Sequence, residues 1–103
     1  MANKIKGETA LSYDGADYSL VLDFNALAEF EDAIGAKAMP ILQDPSGMSI
    51  KQMRALFWAG LKQRHPEITL EDAGRILSAN FDKLGEALAA SFPDAEEGKP
   101  KRA

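Results

Sequence analysis

Two runs of alternating polar and apolar residues near the start of the chain constrain its fold more than any other feature. Thr9, Leu11 and Tyr13 fall on one face of the first run, and a period of two is typical of a β-strand with one buried face. In the second run the apolar face carries Tyr18, Leu20, Leu22 and Phe24. Because the intervening segment 14–17 reads Asp-Gly-Ala-Asp, a turn sequence, we predict an antiparallel β-hairpin.

A hairpin of two strands is only marginally stable in water, so other elements must cover its apolar face. The chain has 103 residues, of which 46% are hydrophobic, and this suits one domain with one modest core. We therefore predict an α+β fold: an N-terminal antiparallel β-hairpin followed by three to four packed α-helices and a disordered C-terminal tail.

Apolar spacing and end signals predict the first helix and the loop behind it. Asn25 is a suitable N-cap, and Gly35 is a suitable C-terminal stop. The apolar residues at helical spacing between them are Leu27, Phe30 and Ile34. Two prolines interrupt residues 36–47, which predicts a loop with one turn around positions 41–42.

Capping boxes predict the later helices. The Ser-x-x-Gln box at 49–52 opens a helix that is expected to run to about Arg64, before the His-Pro pair at 65–66 ends it. Thr69 and Asp72 form a second N-terminal signature, and we expect a break near Asn80. The apolar stripes of this last region comprise Leu70, Ala73, Ile76 and Leu77, then Phe81, Leu84, Leu88 and Phe92.

These elements predict one domain with polar ends. Residues 1–6 are expected to be a flexible N-terminus, and residues 7–92 form the single α+β domain. The segment 93–103 is polar and charged with nothing to bury, so we predict a disordered tail.

The charge balance argues against several kinds of partner. The net charge is −4, which disfavours a protein held to nucleic acid by bulk charge. The helix-turn-helix pattern at 60–78 places Glu71 and Asp72 where base-reading side chains would approach phosphates. No stretch approaches the roughly 20 apolar residues of a membrane span. We expect a cytoplasmic protein with neither a nucleic-acid nor a membrane partner.

Few residues offer catalytic or metal-binding chemistry. His65 is the only histidine, the chain has no cysteine, and a catalytic base normally needs an orienting partner and a nucleophile nearby. Glu29, Glu31 and Asp32 lie close in sequence without a histidine or cysteine to join them, which favours a solvated helix face. We therefore predict no enzymatic activity, no cofactor, no metal and no small-molecule substrate.

The helix predicted after position 49 concentrates the positive charge. At 100° per residue one face carries Lys51, Arg54, Ala55, Trp58 and Lys62, and the other carries Ile50, Met53, Phe57, Gly60 and Leu61. A tryptophan among cations is typical of a binding hot spot, and this makes Lys51, Arg54, Trp58 and Lys62 the candidate partner-binding residues. Alternatively, the hairpin or the last helix covers Trp58, and the long basic side chains lie along its ring.

The order of several short sequence motifs resembles that of a known protein family. The chain has Gly7-Glu8 before the hairpin, Tyr-Ser-Leu-Val-Leu at 18–22, Asn-Ala-Leu-Ala-Glu-Phe-Glu at 25–31 with Gly35 beyond it, and Met-Arg-Ala-Leu-Phe-Trp-Ala-Gly-Leu at 53–61. In this order they resemble the small tail proteins of gene transfer agents and related long-tailed phages. Those proteins are classed as tail assembly chaperones and are also labelled tail tube proteins.

The resemblance implies a non-enzymatic role in building a tail in the cytoplasm of a bacterial host. Our first hypothesis is a tail assembly chaperone that binds the largely helical tape-measure protein and is absent from the finished particle. The alternative is a structural subunit retained in the tail tube or the tail end, and therefore associated with the particle. Other tail proteins, including further copies of the chain, are the expected partners under either hypothesis, because the hairpin edges can pair with another copy.

Overall fold

The computed structural model describes residues 8–91, which form a two-stranded antiparallel sheet and five helices. In chain order the elements are β1 (Glu8–Tyr13), β2 (Ala16–Val21), α1 (Phe24–Ile34), α2 (Ala38–Leu42), α3 (Ile50–Lys62), α4 (Leu70–Ala79) and α5 (Phe81–Ser91). This is the predicted α+β class, with the short α2 added to four longer helices. The expectations for 1–6 and 93–103 lie outside the described residues, as do Gly7 and Phe92.

The hairpin has the predicted pairing and a shorter turn than the Asp-Gly-Ala-Asp segment indicated. Tyr13 pairs with Ala16, so only Asp14 and Gly15 form the turn. Their φ angles are 52° and 79°, and a two-residue turn of the type I′ class requires positive φ at both central positions. The register places Thr9 opposite Leu20, which are both buried.

The first helix begins earlier than the sequence indicated, and the predictions for Asn25 and Phe24 were wrong. Asp23 is the N-cap, and its side chain accepts a hydrogen bond from the Ala26 backbone N–H at 2.9 Å. Since α1 starts at Phe24, the side-chain period changes from two to 3.6 there, and the Phe24 side chain leaves the sheet face to become 77% exposed. The predicted stop is confirmed, because Gly35 adopts φ 69° at the helix end.

Short-range hydrogen bonds start α3 and α4 as predicted. Ser49 and Gln52 form a reciprocal capping box, and so do Thr69 and Asp72. The loop predicted for 36–47 contains α2, whose five residues include the expected turn at 41–42, and a 3-10 turn at Pro45–Gly47. The helix α3 ends two residues before Arg64.

The helix α3 is the centre of the fold, because it packs against α1, α4 and β2. Burial on several sides widens its apolar arc, and Ala55, which the helical wheel placed on the basic face, is buried. Ile50, which the wheel placed on the apolar face, is 74% exposed because it is the first residue of the helix. The buried residues of α3 are Ala55, Leu56, Phe57, Ala59, Gly60 and Leu61.

The corner between α4 and α5 is tied to the sheet. Asn80 interrupts the helix at the predicted position, and its side-chain amide donates to the Ile76 carbonyl at 3.1 Å and to the Ser12 carbonyl at 3.0 Å. The helix α5 packs along β1, so one face of the hairpin is covered by α5 and α3. This cover supplies the apolar contacts that an isolated hairpin lacks.

Candidate partner-binding surfaces

We define the α3 basic face as Lys51, Arg54, Trp58 and Lys62, the residues predicted to bind a partner. Trp58 is half-buried against the core, and its indole Nε1–H donates to the Ile68 carbonyl at 3.1 Å. This bond joins α3 to the segment that leads into α4. The indole is therefore part of the packing, as in the alternative interpretation, but the contact that holds it comes from the segment before α4, which that interpretation did not name.

Lys62 is also engaged within the molecule. Its Nζ lies 3.0 Å from Glu29 Oε1 on α1 and 5.0 Å from the centroid of the Trp58 ring. Both groups of the ion pair are about one-third exposed, so solvent weakens the attraction, and its main effect is to hold the lysine stem along the indole.

The other two residues of the α3 basic face are not paired with a carboxylate of residues 8–91. Lys51 is exposed, and Arg54 lies across α4 where a Cβ on Gly74 would be 3.2 Å from Arg54 Cδ. Arg54 Nε is buried without a hydrogen-bond acceptor. Both cations line a cleft of about 390 Å³ between α1 and the first turns of α3 and α4, with Ile34 and Leu70 beside them. The face thus divides into an internal half, Trp58 and Lys62, and an open half, Lys51 and Arg54, which has no ion pair within residues 8–91 although the Arg54 stem is partly buried against α4.

Trp58→Phe is expected to lower the free energy of unfolding by about 1 kcal/mol, since a smaller aromatic ring remains but the Ile68 carbonyl loses its donor. Chemical denaturation followed by circular dichroism measures the change. The control is Lys51→Ala on the same face, where an exposed side chain without an ion pair predicts a change within about 0.5 kcal/mol. Equal stability of Trp58→Phe and wild type would show that the indole does not anchor α3.

His65 has a structural position in the segment that joins α3 to α4. Its Nε2 accepts a hydrogen bond from the Ser19 backbone N–H at 3.1 Å, and its ring packs edge-on against Tyr18 at 5.0 Å. A cleft of about 560 Å³ lies beside it. Arg64 and Arg75 at this cleft pair with Glu8 and Asp72 respectively, so its charges are largely matched.

A second surface was not predicted from the sequence, where its apolar α5 residues, Phe81, Leu84 and Leu88, were assigned to an apolar stripe. We call it the α5 groove: it is an apolar depression of about 430 Å³ between the 3-10 turn, α3 and α5. Phe81 at its edge is 59% exposed. The one available signal was Gly85, which interrupts the apolar stripe of α5. The lining residues are Pro45, Ser46, Met48, Met53, Phe81, Asp82, Leu84, Gly85 and Leu88.

Residues 8–91 contain neither a candidate metal cluster nor a candidate membrane-spanning helix. Within residues 8–91, histidine and carboxylate side chains form no group of three or more that could hold a metal ion. Among the helices of this part of the chain, none combines the length and the apolar character needed to cross a bilayer.

Residues 8–91 form a small α+β module whose surface carries ion-paired clefts and an apolar groove. In the comparison with protein families, the family described as phage tail tube protein, GTA-gp10 matches residues 6–91. The chain belongs to this family, and the predicted link to gene transfer agent and phage tails is confirmed. Neither the curated proteins nor the solved structures contain a match to the chain.

Proposed function

We propose that this chain is a non-enzymatic structural subunit of the tail of a gene transfer agent or a long-tailed phage, retained in the tail tube or at its end. One observation carries the proposal: the matching family is described as a phage tail tube protein, and the match extends over residues 6–91. This favours the alternative in the sequence analysis over the chaperone hypothesis. Further copies of the chain and other tail proteins are then its partners.

The two edges of the hairpin are poorly suited to strand pairing between subunits. The Ser19 N–H on the edge of β2 is occupied by His65, and the Ser12 carbonyl on the edge of β1 is occupied by Asn80. Both edges therefore carry an in-chain hydrogen bond that an added strand would have to replace. Helical surfaces are better suited to contacts between subunits, and the open half of the α3 basic face, Lys51 and Arg54, is one of them.

A tail assembly chaperone is the second candidate, and one observation favours it. Residues 8–91 contain a sheet of only two strands, whereas a self-assembling tube usually needs enough β structure to close a ring with its neighbours. In this function the chain would cover apolar stripes of the tape-measure protein and leave before the particle is complete. The assignment of Lys51, Arg54, Trp58 and Lys62 to that contact stays a prediction.

Purified particles distinguish the two functions. The chain is expressed from its own locus with an epitope tag, and quantitative mass spectrometry compares its copy number with that of the other tail proteins in finished particles. A retained subunit is expected at a copy number that is a multiple of the ring symmetry. Its absence from particles, together with co-purification with the soluble tape-measure protein, would overturn the structural proposal in favour of the chaperone.

Amino-acid substitutions test whether the α3 basic face contributes to the contact between subunits, while the protein itself is still produced. Lys51→Glu combined with Arg54→Gln changes the open half of the α3 basic face, and Lys83→Glu changes a cation on α5 that pairs only with Glu86 among the described residues. Incorporation into particles is expected to fall with the first variant and to persist with the second. Normal incorporation of both would exclude this face from the subunit contact.

A further inference from the structure

Three helical glycines of the described chain differ in what surrounds them. A Cβ on Gly60 would lie 2.6 Å from Leu20 Cδ1, and a Cβ on Gly74 would lie 3.2 Å from Arg54 Cδ. Those glycines are explained by close packing inside the molecule. A Cβ on Gly85 would meet no atom within 4 Å, although a glycine within a helix destabilises it relative to alanine. The folded chain itself therefore gives no steric reason for glycine at position 85.

The residues around Gly85 indicate what kind of partner segment could lie against this open part of α5. Gly85 lines the α5 groove between Phe81 and Leu88, which stand four residues before it and three after it along α5. This spacing places all three along about two turns of one helix face. Where two helices pack, a small residue at the crossing point lets the two backbones approach closely. An occupant lying along α5 would therefore have its closest approach at Gly85.

The other side of the groove is apolar and adaptable. Met48 and Met53 face α5, and methionine side chains adjust to ligands of different shape, which is why they are common at helix-binding surfaces. Met53 is half-buried. Met48 is only 7% exposed, so Met53 and the exposed Phe81 are the side chains that the anchor residues of a helix would meet first.

The charged residues at the α5 groove favour an occupant with positive charge. Asp82 is the one charged residue that lines the groove. Asp44 does not line the groove itself, but it precedes Pro45 and accepts a hydrogen bond from the Ser46 hydroxyl, and both of those residues line the groove. No ion pair within residues 8–91 involves either carboxylate. A basic side chain beside the apolar anchors of an occupant would therefore find the Asp82 carboxylate in the groove and the Asp44 carboxylate next to its 3-10 turn.

We infer that the α5 groove is a docking site for an amphipathic helix of a partner protein, one with an apolar stripe flanked by lysine or arginine. Gly85 allows the helix to approach α5, the methionines and Phe81 receive its anchor side chains, and Asp82 and Asp44 attract its basic flank. This goes beyond the proposed function, because such a groove can serve a retained subunit and a transient chaperone alike.

The test uses the full chain and fluorescent helical peptides of about 18 residues, or five helical turns. The peptides carry leucine and phenylalanine at i, i+3, i+4 and i+7 spacing and differ only in their flanks, which are lysine, glutamate or glutamine. Fluorescence anisotropy measures the Kd. The lysine peptide is expected to bind more tightly than the glutamine peptide, and the glutamate peptide is expected to bind most weakly.

Two leucine substitutions on α5 locate the binding. Gly85→Leu fills the groove and is expected to weaken binding of the lysine peptide at least about tenfold, while thermal melts show no loss of stability because the added side chain enters open space. Ala90→Leu is the matched control, since position 90 is exposed and about 140° around α5 from Gly85. It is expected to bind the peptide like wild type.

Three results would overturn the inference. They are no binding of the lysine peptide by wild type, equal weakening by both leucine substitutions, and equal affinity for the lysine and glutamate peptides. Sedimentation of the chain without peptide tests whether a second copy occupies the groove. If wild type forms a dimer, Gly85→Leu dissociates it and wild type binds no peptide, the groove serves self-association. None of these outcomes depends on whether the chain is retained in particles, so they are separable from the test of the proposed function.

Discussion

Phe30→Ala is expected to lower the free energy of unfolding by roughly 3–5 kcal/mol, the usual cost of removing a fully buried aromatic ring. Phe30 is 0% exposed and lies on α1 in the hydrophobic core. Its removal leaves a cavity in the core, and surrounding side chains fill such a cavity only in part. Urea denaturation monitored by circular dichroism gives the change directly.

Phe24→Ala is the matched control, because it removes the same ring from the first residue of the same helix. Phe24 is exposed, so the change is expected to stay within about 0.5 kcal/mol. Similar losses for the two variants would mean that α1 does not present Phe30 to the core, and the placement of the first helix would then be incorrect.

Gly60→Ala is expected to destabilise the fold by about 1–3 kcal/mol even though alanine is the better helix former. The added Cβ would lie 2.6 Å from Leu20 Cδ1 and 2.9 Å from Leu22 Cδ2. Both leucines are buried, so β2 must move away from α3 or the leucines must leave their preferred rotamers. The midpoint of a thermal or urea transition reports the loss.

The identical substitution at Gly85 separates packing from helix propensity. Gly85→Ala adds the same methyl group to an open surface, and it is expected to raise stability by up to about 1 kcal/mol. The two substitutions are thus expected to change stability in opposite directions. A gain at both positions would show that β2 does not approach α3 as closely as Gly60 permits.

Local sequence signals predicted the elements well where the determining contacts lie within a few residues. The hairpin, both capping boxes, the Gly35 stop and the break at Asn80 all depend on such contacts. The N-cap of α1 was misplaced because Asp23 and Asn25 are both good capping residues, and the switch from strand to helix decides which of them is used. The same switch moved Phe24 from the predicted buried face to solvent.

The candidate site was harder to predict, because a helical wheel shows which residues share a face and not what covers that face. Trp58 and Lys62 contact Ile68 and Glu29, residues about ten and 33 positions away in the chain. Nothing in the local pattern distinguishes these two from Lys51 and Arg54. The resemblance to tail proteins identified the class correctly, while the family description supports a tail tube subunit rather than the chaperone placed first.

By itself the sequence determined the α+β class, the order of the elements and the absence of any cysteine chemistry, because alternation, capping and composition act over short distances. Tertiary structure alone decided which half of the α3 basic face stays open and that α5 leaves an apolar groove beside Gly85. Those properties arise where segments distant in the chain pack together. Their burial depends on the shape of the neighbouring elements, which no local pattern encodes.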